Sequence, residues 1–151
     1  MAILSFNGRV NIAVRIVTEQ YPEAKLYEAE GVAKDGPTTD PAAINQMKVV
    51  FQNADNTTVI INETGYGEFG PPELFDSPWG DDVVIDWPID MDLPKANDLK
   101  EAAGFTEAYA NVTLRNPLGP TVSNPKFVFG TNPQEPYIFV DTVTGEVTQG
   151  N

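Results

Sequence analysis

The side chains in this sequence that could do chemistry are carboxylates. Asp76, Asp81, Asp82, Asp86, Asp90 and Asp92 fall within one stretch. Converging oxygen ligands of this kind could hold calcium. Asp90 and Asp92 have the first spacing of an EF-hand loop, but Pro94 and Lys95 stand where further ligands and a glycine belong, so that motif is excluded. An irregular calcium site and a solvated acidic loop both stay open. Two close carboxyl groups could also cleave a glycosidic bond, though spacing in sequence fixes no separation between them. The chain has no histidine and no cysteine. Ser-His-Asp triads, thiolate nucleophiles, disulfides and His- or Cys-ligated metals are therefore excluded. No cofactor is expected, and no catalytic constellation replaces the missing residue types.

Aromatic residues accompany the acids. Gly65 to Asp82 carries Tyr66, Phe69, Phe75 and Trp79 beside Asp81 and Asp82, among glycines and prolines that oppose regular structure. Such a loop either packs over the core or presents a binding surface. Presented outward, its rings could stack on a sugar while its acids bond the hydroxyls, which is a lectin-like reading. Alternatively, the proline-rigid loops Gly65–Asp82 and Asn116–Pro125 could fill a groove on another protein at little entropic cost. Gly65, Gly67 and Gly70 match the spacing of a phosphate-binding loop, but Pro71 and Pro72 follow where a helix must begin, so the match is discounted.

Composition narrows the partners. The 151 residues carry 22 acidic and 9 basic side chains, a net charge of −13. Nucleic acid and anionic membrane would repel that charge. A hydrophobic content of 41% suits a chain that buries a core. No apolar run reaches the ~20 residues of a membrane span. Met1 to Asn7 lacks the charged and apolar regions of a signal peptide, so a cytoplasmic location is expected unless a longer precursor is processed.

Certain elements must position these residues. Val10, Ala13, Val14, Val17 and Tyr21 recur at helical spacing, with Asn7 as a candidate cap and Pro22 as the stop. A buried strand is the competing reading of this β-branched segment. Ala24 to Val32 reads as a strand of imperfect alternation, because Glu28 and Glu30 share a face with Leu26. Met47–Phe51 and Thr57–Asn62 form a hairpin about the Asn53–Asn56 turn. Val83–Trp87 reads as a short strand. Asp92 caps a second helix with Pro94 in its first turn and Gly104 after its end. Strands follow at Glu107–Leu114, Phe127–Phe129, Tyr137–Val140 and Glu146–Thr148.

Lys48-Val49-Val50-Phe51 precedes Val59-Ile60-Ile61-Asn62 at the same spacing as Lys126-Phe127-Val128-Phe129 precedes Tyr137-Ile138-Phe139-Val140. Helix, strand, strand, strand thus occurs twice, suggesting duplication. The fold expected is α+β, two helix-plus-antiparallel-sheet halves (about 5–88 and 89–151) packed as a single domain over 1–151. The ending Phe139-Val140-Asp141-Thr142-Val143-Thr144-Gly145-Glu146-Val147 resembles the close of a PepSY-like (cystatin-like) module. That resemblance implies a helix wrapped on a small antiparallel sheet and, for some members, inhibition of a peptidase. The reading favoured here is a non-enzymatic protein-binding module, a peptidase inhibitor acting through rigid proline-bearing loops. The alternative is a carbohydrate-binding protein. Tyr66, Phe69, Phe75, Trp79, Asp81 and Asp82 are the candidate contacts in either case.

Overall fold

The first apolar stripe folds as a helix rather than a strand. In the computed structural model, which describes residues 4–80, 82–117, 124–130 and 137–150, α1 spans Phe6–Gln20. Its buried residues Phe6, Val10, Ala13 and Val17 line one face. The cap is Ser5, whose Oγ accepts from Gly8 N at 2.9 Å, and not Asn7. Asn7 instead lies inside the helix and bonds Met91 O through Nδ2 (2.9 Å). The second helix, α2 (Leu93–Ala102), starts from Asp92 with Pro94 in its first turn. It ends ahead of Gly104, whose φ of +99° favours glycine.

Ten strands follow one another in the described residues: β1 (Lys25–Val32), β2 (Gln46–Gln52), β3 (Thr58–Gly65), β4 (Glu68–Phe69), β5 (Glu73–Phe75), β6 (Asp82–Val83), β7 (Asn111–Pro117), β8 (Lys126–Gly130), β9 (Tyr137–Asp141) and β10 (Val147–Gly150). They join in one antiparallel sheet of order β10-β9-β8-β7-β1-β2-β3-β4, with β5 against β3 and β6 against β7.

This corrects the expected α+β architecture of two helix-plus-sheet halves. Among the described residues the molecule is mostly one continuous sheet with two α-helices. The pairing that makes it continuous is β1 with β7, from Glu28 opposite Arg115 to Val32 opposite Asn111. Each strand alone would leave a row of backbone N–H and C=O groups unpaired, and pairing the two edges satisfies both rows at once. The matched Lys48–Phe51 and Lys126–Phe129 segments lie in β2 and β8, the outer neighbours of that central pair. The Val83–Trp87 strand shortens to Asp82–Val83, while most of the Asn116–Pro125 loop lies outside the described residues.

One face of the sheet packs on both helices. Val49, Phe51, Ile61, Val112, Leu114, Phe127, Phe129 and Val140 meet Phe6, Val10, Leu93 and Ala96 in a single buried cluster. Gly31 in β1 sits beneath this contact. A Cβ there would lie 2.5 Å from Ile44 Cγ2 and 3.1 Å from Phe6 Cε2. Gly31→Ala should therefore cost about 1–3 kcal/mol by overpacking, read as a lower urea midpoint at unchanged slope. An unchanged midpoint would show that α1 shifts freely over the sheet.

The imperfect alternation of β1 has a physical cause. A bulge at Tyr27 breaks the register, so that Leu26 faces Phe51 while Glu28 faces Val50. The extra residue lets Leu26 enter the core while Glu28 and Glu30 take the opposite face. On that face, away from the helices, Glu28 joins Asp82 and Arg115.

Candidate functional site

The Gly65–Asp82 segment contains more regular structure than its glycines and prolines suggest. It folds back against β3, first as β4 and then as β5, before crossing the sheet to β6. Its aromatic residues consequently separate into groups with different roles.

Tyr66 and Phe69 serve the interior. Arg9 of α1 is buried and donates Nε to Glu63 Oε2 at 2.9 Å and Nη1 to Ile44 O at 2.6 Å. Glu63 Oε2 also accepts from Gly67 N at 2.7 Å. The Tyr66 ring lies 4.7 Å from the Arg9 guanidinium carbon, and its hydroxyl donates to Leu4 O. Tyr66 thus lids a buried ion pair, although it is 40% exposed. Phe69 is partly buried against the core.

Leu74 and Phe75 face solvent. They are 54% and 44% exposed, on the short edge strand β5. Leu74 stands opposite Val59 and Phe75 opposite Thr58, so their side chains leave the sheet on opposite faces. The strand is fixed beyond its own pairing. Thr58 Oγ1 donates to Ser77 O at 2.6 Å, and Trp79 N donates to Gln52 Oε1 at 2.9 Å. Pro71, Pro72 and Pro78 flank it. Beside Leu74 is a hollow of about 490 Å³, lined in part by Tyr21, Pro22, Glu23 and Asp55. An apolar wall with an acidic rim suits a partner carrying an apolar side chain beside basic ones.

Trp79 is half-buried and its indole N–H donates to Asp82 Oδ2 at 2.8 Å. Asp82 Oδ1 accepts from Arg115 Nε at 2.7 Å, and the Asp82 side chain is fully buried. Glu28 completes the cluster, buried opposite Arg115 across the β1–β7 pair and close enough to Asp82 for the two carboxyl groups to interact. Burial raises the Glu28 carboxyl from 4.5 to about 7. The charge and hydrogen bond of Asp82 push the same way, Arg115 opposes them, and Glu30 adds a smaller rise. Burial and the neighbouring Asp82 carboxylate thus favour the protonated form of Glu28.

Of the expected contacts, then, Trp79 and Asp82 are brought together, Phe75 is exposed nearby, and Tyr66 and Phe69 are diverted to the Arg9 side. Asp81 lies outside the described residues. The other acids of the stretch disperse. Asp92 Oδ1 accepts from Leu93 N at 2.7 Å and from Asn7 N at 3.2 Å, and among the described residues no three acidic side chains gather as metal ligands would. Glu28, Arg115 and Leu74 were not among the expected contacts. The misfit of Glu28 to the alternation of its strand was the available signal for one of them.

No family model matches the chain, and no curated protein matches it either. Among solved structures, a putative lipoprotein from Clostridium difficile 630 is similar in fold, with a TM-score of 0.66 at 13% sequence identity. The match covers 100% of this chain and 95% of that one.

Proposed function

We propose that this chain is a non-enzymatic protein-binding module that inhibits a peptidase through the β5 segment. The observation that carries this reading is the pair Leu74 and Phe75, exposed on a strand that pairs with β3 and is tied down beyond its C-terminal end. Large apolar side chains presented from ordered backbone make effective anchors, because little conformational freedom is lost on binding. The flanking prolines reduce that loss further. The resemblance of the Phe139–Val147 ending to PepSY-like modules adds the peptidase to the reading. The net charge of −13 and the acidic rim of the hollow beside Leu74 favour a partner with a basic contact surface.

The carbohydrate reading leans on Trp79 as a stacking platform and on Asp82 as a hydroxyl acceptor. Those two groups are already bonded to each other, so the protein-binding reading is preferred. No helix among the described residues is long and apolar enough to cross a membrane. The lipoprotein description of the structural neighbour supports a surface or secreted setting over the cytoplasmic one suggested by the N-terminal residues. The direct test titrates the protein against serine, cysteine, aspartic and metallopeptidases. Stoichiometric loss of activity in at least one class is expected, and no loss in any class would remove the reading.

A further inference from the structure

The loop that carries the proposed anchors is tied to the sheet by a cluster that brings two carboxyl groups beside one guanidinium among the described residues. Trp79 reaches Asp82 through its indole, and Asp82 reaches Arg115. Glu28, buried and directly opposite Arg115 on the neighbouring strand, then adds a second carboxyl to the same spot. Among the described residues, the charged and titratable groups around it come from β1, β2, β7 and β8. On β1 these are Glu30, Lys25 opposite Gln52, and Tyr27 at the bulge. On β2, Lys48 pairs with Glu30 at 3.8 Å. On β7 there is Arg115, and on β8 its cross-strand neighbour Lys126. Lys48 and Lys126 have their own acidic partners, Glu30 and Asp141, each at 3.8 Å.

We infer that the Glu28–Asp82 pair is a protonation latch, holding the Leu74–Trp79 segment in its binding form in mildly acidic solution and loosening it above neutrality. With a proton on Glu28, its carboxyl donates to Asp82, and Asp82 remains the ionised acceptor for Trp79 and Arg115. Loss of that proton removes the donor and sets two carboxylates against each other in a place poor in water. Glu28 lies in the middle of the sheet, held by ladders on both sides. Asp82 lies at the end of a crossing loop on the two-residue strand β6, so the repulsion is relieved by moving the loop. Trp79 moves with Asp82, and the backbone anchor at Gln52 weakens with it.

This regulation rests on β5 being the binding segment, but its test needs no partner. The chain has two tryptophans, and Trp87 bonds Asn11 Oδ1 on α1, away from the latch. In a Trp87→Phe background, fluorescence and its quenching by iodide report Trp79 alone. Between pH 5 and 9 both should change together, with a midpoint near 7, and the transition should vanish in Glu28→Gln, which keeps a donor at all pH values. A flat profile in the parent, or a transition that persists in Glu28→Gln, would overturn the latch. Inhibition measured at pH 6 and pH 8 separates the two claims. Weaker inhibition at pH 8 that Glu28→Gln restores supports the regulation. Equal inhibition at both values overturns it. No inhibition at either value removes the peptidase reading and leaves the fluorescence result to decide the latch.

Discussion

Replacing Arg9 with methionine should destabilise the protein by about 3–5 kcal/mol, because it strands the Glu63 carboxylate in the interior. Methionine fills similar volume, so the loss is electrostatic and not a cavity effect. Glu63 is left with the Gly67 N–H as its remaining hydrogen-bond donor from this cluster, and Ile44 O loses the guanidinium that meets it. Tyr66 loses the cation beneath its ring. The double variant Arg9→Met/Glu63→Gln should recover part of the loss, since a buried amide costs less than a buried carboxylate and still accepts from Gly67. Urea denaturation of the three proteins checks this. A cost below about 1 kcal/mol for Arg9→Met would show that the carboxylate is neutralised or hydrated some other way.

Glu28→Gln should act in the opposite direction and only at high pH. The folded carboxyl is raised to about 7 from 4.5. Between these values the native state holds a proton that the unfolded chain has lost, so stability falls as pH rises. The contribution of this group is fully present below 4.5 and gone once pH has passed through 7. The full shift corresponds to about 3 kcal/mol, and partial solvent screening reduces it to on the order of 2 kcal/mol. Glutamine does not titrate. The variant should match the parent near pH 5 and exceed it by that amount at pH 8. A stability difference that is the same at both pH values would show that Glu28 does not carry the shared proton.

Local signals in the sequence read well. Asp92, Pro94 and Gly104 delimit α2, and the Asn53–Asn56 turn delimits the β2–β3 hairpin, because capping and turn geometry depend on nearby residues alone. Pairing between β1 and β7 left no such trace. It joins residues about eighty or more positions apart, and neither strand carries a pattern that names its neighbour. The bulge at Tyr27 hid the placement of Glu28 for a related reason: period-two reasoning assumes an unbroken register. In the Gly65–Asp82 loop, composition did not disclose the fate of each ring. Tyr66 was claimed by Arg9, and Trp79 by Asp82 and Gln52. Those partners are set by the tertiary fold. Leu74, passed over among more prominent aromatics, is exposed because its strand is an edge that no further strand covers among the described residues.

The most direct test of the account compares inhibition constants for the parent and for Leu74→Ala/Phe75→Ala. The measurement uses whichever peptidase the parent inhibits among the serine, cysteine, aspartic and metallo classes, at pH 6, with the unfolding midpoints of both proteins measured alongside. These two side chains face solvent, so their removal should leave stability within about 0.5 kcal/mol of the parent. As binding anchors they should each contribute 1 kcal/mol or more, and the account predicts an inhibition constant raised by at least about tenfold. Equal inhibition by the two proteins, or a parent that inhibits no peptidase of any class, would contradict it.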